Sequence, residues 1–123
     1  MKIIVAGSRV CTTRNDYEKV KNELNKMTIT EIVSGGAVGA DRLGEFYAQE
    51  NNIKITRFLP DWSVGRSAGP IRNRTMALYG DMLIVIWDGH SRGSQSMIRC
   101  ANEQNLQIIE IIPDRFKMNL ELF

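Results

Sequence analysis

The chain of 123 residues carries 16 Lys and Arg against 14 Asp and Glu, a formal net charge of +2, with 43% hydrophobic residues and two cysteines. That length makes one domain, residues 1–123, which buries about two thirds of its unfolded surface and so holds a core without a metal or a disulfide. The small charge argues against a long polyanionic partner, the widely separated Cys11 and Cys100 fit a reducing cytoplasm better than a disulfide framework, and no apolar run approaches the roughly 20 residues that span a membrane.

Ile3-Ile4-Val5-Ala6 reads as a first strand, apolar on both faces as parallel strands are, and it ends in Gly7-Ser8-Arg9. Thr13 and Asp16 form a variant capping box, and Tyr17, Val20, Leu24 and Met27 then mark one face of a helix over residues 14–26. Glu31-Ile32-Val33 is the second strand. Ser34-Gly35-Gly36-Ala37-Val38-Gly39-Ala40-Asp41 leads from it into a helix over residues 40–50, with Leu43 and Tyr47 inward and Phe46 a third candidate. A strand, a glycine loop and a helix start make a phosphate cradle, because glycine allows close backbone approach and the first helical turn offers unpaired N–H groups.

Residues 53–58 alternate apolar with polar, which predicts a strand at the sheet edge. The loop over residues 60–69 is long for a compact domain and carries Asp61, Trp62, Gly65 and Gly69, which predicts a lid. Pro70 suits the first position of a helix over residues 70–79. Met82-Leu83-Ile84-Val85-Ile86-Trp87 is the most apolar run and the predicted central strand. Asp88-Gly89 then opens a loop to Ser94, which caps a helix over residues 95–104 with Met97, Ile98 and Ala101 inward. Residues 106–112 form the last strand. In the tail, Met118 to Phe123 alternate, and an added strand or a subunit contact both satisfy the pattern.

Strand and helix alternate along the whole chain, so the expected class is α/β: a Rossmann-like, three-layer α/β/α domain with a five-stranded parallel sheet in the order 3-2-1-4-5. The ligand crevice of such a sheet lies outside the carboxyl ends of its strands, where strands 1 and 4 diverge. The candidate ligand residues follow from the loops that emerge there. They are Gly7, Ser8 and Arg9; Ser34, Gly35, Gly36, Ala37, Gly39 and Asp41; Asp61 and Trp62; Arg72 and Asn73; and Asp88, Gly89, Ser91, Arg92, Gly93 and Ser94.

Each of these has a structural reading beside the functional one. Arg9 and Arg72 offer planar forks to a phosphate, or pair with acids at the surface. Asp41 reads as a helix-start carboxylate or as an acceptor for ribose hydroxyls. Trp62 either stacks on a base or anchors its loop, and Asp88 either accepts from a sugar or shapes the turn before Gly89. Trp87 belongs to the core. His90 is the only histidine and has no spaced partner, so no metal site is expected.

Taken together, Gly7-Ser8-Arg9, the run from Ser34 to Asp41, Pro60-Asp61-Trp62, Ala68-Gly69-Pro70-Ile71-Arg72-Asn73-Arg74-Thr75-Met76 and the run from Trp87 to Ser94 give a nearly end-to-end resemblance to the SLOG superfamily. That Rossmann-like group includes DNA-processing protein A and the Lonely Guy phosphoribohydrolases, and the chain is most similar to its small YspA-like, YpsA-related branch. The resemblance implies a nucleotide or nucleotide-derived signal as ligand, adenine-based, ADP-ribose-like or cyclic, held by the two glycine loops with Arg72 on its phosphates or ribose. It implies sensing or sequestration, as in phage-type counter-defence, with no further cofactor and a homodimer or higher homo-oligomer as the assembly.

Two alternatives stand beside that reading: an N-glycosidic, phosphoribohydrolase-like enzyme, and a nucleic-acid-processing accessory protein, which the near-neutral charge disfavours. The phosphoribohydrolases carry a catalytic glutamate after their second glycine loop, where this chain has Met97. Asp41, Glu45 and Asp88 are the remaining catalytic candidates, and the reading leans towards a binder.

Overall fold

In a computed structural model that describes residues 1–121, and side chains through residue 117, the apolar runs pair side by side as one parallel sheet. Strand β1 (Lys2–Gly7) lies at its centre, between β2 (Glu31–Ser34) and β4 (Met82–Ile86), with β3 (Lys54–Arg57) and β5 (Gln107–Ile111) outermost. The order is β3-β2-β1-β4-β5, as the alternation predicts. Register runs Ile3 opposite Ile32 and Met82, and Ile4 opposite Val33 and Leu83. The hydrophobic residues of β1, β2 and β4 are buried on both faces, whereas the residues of the two edge strands are partly buried or exposed, without the one-sided alternation expected for β3.

Successive side chains of a strand point to opposite faces, so the sheet divides the core in two. Ile3, Val5, Ile32, Ile84 and Ile86 meet helices α1 (Arg14–Leu24) and α2 (Ala40–Glu50), with Phe116 of α5 (Asp114–Glu121) against the same cluster. Ile4, Ala6, Val33, Leu83 and Val85 meet α3 (Ala68–Tyr79) and α4 (Arg92–Glu103) on the other face. Phe46 is half exposed and packs edge-on against Tyr17, their ring centroids 5.1 Å apart. Trp87 is buried and donates its Nε1–H to Glu110 Oε2 at 2.6 Å. Among the described residues no helix is long and apolar enough to cross a membrane.

The helix ends depart from the sequence reading where caps come from outside the helix. The capping box of α1 is present, with Thr13 Oγ1 accepting from the Asp16 N–H at 3.0 Å. Asp16 is also fully buried and receives a two-pronged bond from Arg115, at 2.7 and 2.8 Å, while the same guanidinium donates to the Val10 carbonyl at 3.1 Å. Helix α3 starts at Ala68, which puts Pro70 third, still in the first turn where a missing N–H costs no helical bond. Helix α4 starts at Arg92 behind Ser91, so Ser94 is not its cap. Residues 114–121 are helical, which removes the added-strand reading of the tail up to Glu121. The proposed subunit contact through Leu120, Leu122 and Phe123 lies outside the described side chains.

Candidate functional site

The loops after β1, β2, β3 and β4 enclose a cleft of about 890 Å³ at the carboxyl edge of the sheet. Both glycine loops reach it, and their hydrogen bonds differ. In the first, Gly39 takes φ +84° with the Ser8 and Arg9 backbone so close that any side chain would collide. The Gly36 N–H donates to Ser34 Oγ at 3.0 Å, the Ala37 N–H to Asp41 Oδ2 at 3.1 Å, and the Ala40 N–H to the Ser8 carbonyl at 3.2 Å. These donors already have acceptors within the protein, and one of the acceptors is a carboxylate. The cradle read from glycine density is therefore filled in part by the chain itself, while the Val38, Gly39 and Asp41 N–H groups find no acceptor among the described residues.

The second loop is held differently. Asp88 Oδ1 accepts from the His90 and Ser91 N–H groups at 2.8 and 2.9 Å and from the Ser91 hydroxyl, and Ser8 Oγ joins this network while accepting from the Asp88 N–H at 3.0 Å. Burial opposes the charge on Asp88, but these donors hold its carboxyl down at about 2. Beyond this cap, the N–H groups of Arg92, Gly93 and Ser94 find no acceptor among the described residues. Ser94 is 3% exposed, and its Oγ is the one buried side-chain polar atom without a partner among them.

Arg72 and Asp41 line the same cleft. Arg72 donates Nη1–H to the carbonyls of Gly35 at 2.7 Å and Phe58 at 3.3 Å, and Nε–H to Asn73 Oδ1 at 3.0 Å. Asn73 in turn donates to Ser96 Oγ at 3.2 Å, which ties α3 to α4. A Cβ on Gly35 would sit 2.6 Å from Arg72 Nη1 and 2.9 Å from Asp41 Oδ2, so glycine is what lets both groups approach the loop. Burial pushes the Asp41 carboxyl up to about 6, against the Ala37 N–H and the Arg72 charge, which favour the ionised form, and Glu45 adds to the rise.

Of the residues expected at the site, Gly7, Ser8, Arg9, Gly35, Gly36, Ala37, Asp41, Trp62, Arg72, Asn73, Asp88, Ser91, Arg92, Gly93 and Ser94 line the cleft. Ser34, Gly39, Asp61 and Gly89 do not. Ser34 supports Gly36 from behind, and Asp61 caps the 3-10 segment Trp62–Ser67 through Ser63. Glu45, one of the three catalytic candidates, faces a smaller depression beside Arg42, Phe46 and Arg57. There it accepts from Ser34 Oγ at 2.6 Å and Arg57 Nη2 at 2.8 Å. Burial works against its charge, and these two donors hold its carboxyl below the usual range. Sequence reasoning missed the apolar part of the lining, Leu59, Pro60, Met76 and Met97, and also Arg66. Trp62 and Arg66 are exposed on the 3-10 segment, which kinks at Gly65 (φ 87°). Among the described residues, no three His, Cys, Asp or Glu side chains gather as a metal site requires.

A parallel sheet in this order, with loops converging at a cleft over its carboxyl edge, defines a Rossmann-like domain. The chain belongs to YAcAr, the YspA, cpYpsA-related SLOG family, whose pattern matches residues 1–65. Among solved structures it is similar to DNA processing protein A (DprA) from Streptococcus pneumoniae, with a TM-score of 0.68 and 24% identity over 89% of this chain and 49% of that one. The likeness is one of fold, and the chain spans about half the length of that protein. No curated protein sequence gives a significant match.

Proposed function

We propose that the cleft binds a phosphate-bearing nucleotide or nucleotide derivative, its phosphate on the first turn of α4 and its base against Leu59 and Trp62. The observation that carries this reading is Ser94: a buried hydroxyl without a partner, beside three N–H groups without acceptors, on a cleft-lining helix start. Aligned N–H groups and the positive end of the helix dipole favour an anion there. Arg92 at the same turn and Arg9 and Arg66 around the cleft add positive charge. Family membership supports a nucleotide-related role, and the apolar lining from Leu59 to Trp62 suits a base better than a bare anion.

The role that fits is a sensor of such a nucleotide or a sink for it. Glycosidic cleavage needs a group to protonate the leaving base and a carboxylate to stabilise charge on the ribose. Met97 lies buried in the cleft where the phosphoribohydrolases have glutamate, Glu45 faces elsewhere, and Asp88 is bound within its turn. One observation favours the enzyme as a second reading: Asp41, pushed up to about 6, is suited to moving a proton near neutral pH. Mass spectrometry of small molecules released from denatured protein, followed by calorimetric titration of AMP and ADP-ribose, tests the binding. Chromatography of free base separates the two roles. Turnover on the order of 1 per second, abolished in Asp41→Asn, would replace the binder with an enzyme.

A further inference from the structure

Beside Gly35 the cleft offers a donor and an acceptor close together. Asp41 is 7% exposed and lines the cleft; its Oδ2 is held by the Ala37 N–H at 3.1 Å, and its Oδ1 makes no hydrogen bond among the described residues. Arg72 uses Nη1 and Nε on Gly35, Phe58 and Asn73, which leaves Nη2 without an acceptor there. The two side chains lie on the same side of Gly35, both against the position its Cβ would take, without an ion-pair contact between them. A phosphate is a poor match for this pair, because the Asp41 carboxylate repels it and already fills the anion position of the first loop. A vicinal diol suits it: one hydroxyl donates to the carboxylate while its neighbour accepts from the guanidinium.

The geometry points to Asp41 and Arg72 as a diol-reading pair, which makes the ligand a ribonucleotide rather than a deoxyribonucleotide. The inference rests on the nucleotide reading above and adds to it the identity of the sugar. A carboxylate facing a cleft and deprived of its hydroxyl partner keeps its desolvation cost, so the deoxy analogues are discriminated against and not merely tolerated. Asparagine at position 41 must keep its single carbonyl oxygen on the Ala37 N–H and turn an NH₂ group towards the sugar, which exchanges the acceptor for a donor.

The test is calorimetric titration at pH 7.5 with AMP, 2′-deoxy-AMP and 3′-deoxy-AMP, on the wild-type chain and on Asp41→Asn, with circular dichroism to establish that the variant is folded. AMP is expected to bind about tenfold or more tightly than either deoxy analogue, and the preference is expected to shrink to within about threefold in Asp41→Asn. Equal wild-type affinity for all three would overturn the diol-reading pair while leaving the nucleotide cleft in place. Discrimination that survives in folded Asp41→Asn would remove Asp41 from the role. If AMP and both analogues all fail to bind, the nucleotide reading falls and the sugar inference falls with it. The wild-type comparison stands whether or not the variant folds.

Discussion

The two glycine loops of this cleft look alike in sequence and differ in where their hydrogen bonds fall. Gly35 to Gly39 has the higher glycine density, yet Ser34 and Asp41 occupy its Gly36 and Ala37 N–H groups and the Ser8 carbonyl takes that of Ala40 at the helix start, which leaves those of Val38 and Gly39 open among the described residues. Gly89 to Ser94 uses Asp88 to organise the approach to α4 and leaves the helix start itself open. Glycines permit a backbone to approach an anion, but vacant donors are what bind it. The denser loop is therefore the more self-contained one at Gly36 and Ala37, and the proposed reading puts the phosphate on the sparser loop.

The sharpest way to break this contrast is to close the open loop as the chain has closed the other. A Cβ at Gly93 meets nothing within 4 Å, so Gly93→Asp brings a carboxylate to the first turn of α4 without a clash. A carboxylate at that position favours the helix by about 0.3–1 kcal/mol. The variant should be as stable as the wild type in urea and should lose about a hundredfold or more in nucleotide affinity by calorimetry. Undiminished affinity would place the phosphate elsewhere.

Next comes the carboxylate that fills the first loop. Asp41 is raised to about 6 in the folded chain from the ordinary 3.8, so between those values the native state binds more protons than the unfolded one. Stability from this group is therefore full below about pH 4 and declines as pH rises towards 6 and beyond. An asparagine in its place keeps the bond to Ala37 without the charge. Asp41→Asn should match the wild type near pH 4 and exceed it at pH 7.5 by on the order of 2 kcal/mol. Urea melts of both chains across that range measure the difference, and the other carboxylates cancel in the comparison.

A smaller effect is expected at Gly36, whose N–H is already bound to Ser34 and whose φ is +75°. Gly36→Ala should cost about 1 kcal/mol of stability from the left-handed backbone; its Cβ would sit 2.5 Å from the Leu59 side chain, which has to shift, so nucleotide affinity should fall, by no more than about tenfold. Abolished binding in a folded Gly36→Ala protein would restore the first loop as the phosphate cradle. The smallest signal is optical. In Trp87→Phe, the remaining Trp62 sits 61% exposed on the kinked 3-10 segment, and saturation with AMP should shift its emission to the blue. An unmoved spectrum would leave the segment as an ornament of the loop and not a lid.

How far the sequence reveals this molecule follows the range of the forces involved. Two-sided apolar runs in β1 and β4 and the alternation around β3 are local patterns, and they place the sheet and its edge. The bounds of α2, Ala40–Glu50, are read correctly from its glycine start and Asn51-Asn52 end. The start of α4 is missed because its cap is a turn built by Asp88, three residues ahead of Ser91, and not by the serine nearest the apolar face. Glu45 is a catalytic candidate in the sequence because it follows the glycine loop closely. Only the packing of α2 on β2 and β3 turns it to Ser34 and Arg57 instead of the cleft. Leu59 and Met76 look like ordinary core residues in the sequence, and nothing local marks them as cleft lining.

The bond between Arg115 and Asp16 joins residues 99 positions apart, and it sets an order of events for a chain made from its amino end. Until Arg115 has been synthesised, the cap of α1 holds a carboxylate destined for burial with no cation to meet it, and the Val10 carbonyl on the rim of the cleft lacks its donor. β1 can pair with β2 before α5 exists, and the first loop has its ties to Ile86, Ala40 and Ser91, but its bond at Val10 waits for α5. A released chain cut short before residue 115 would thus contain all five strands and lack the cation that meets Asp16.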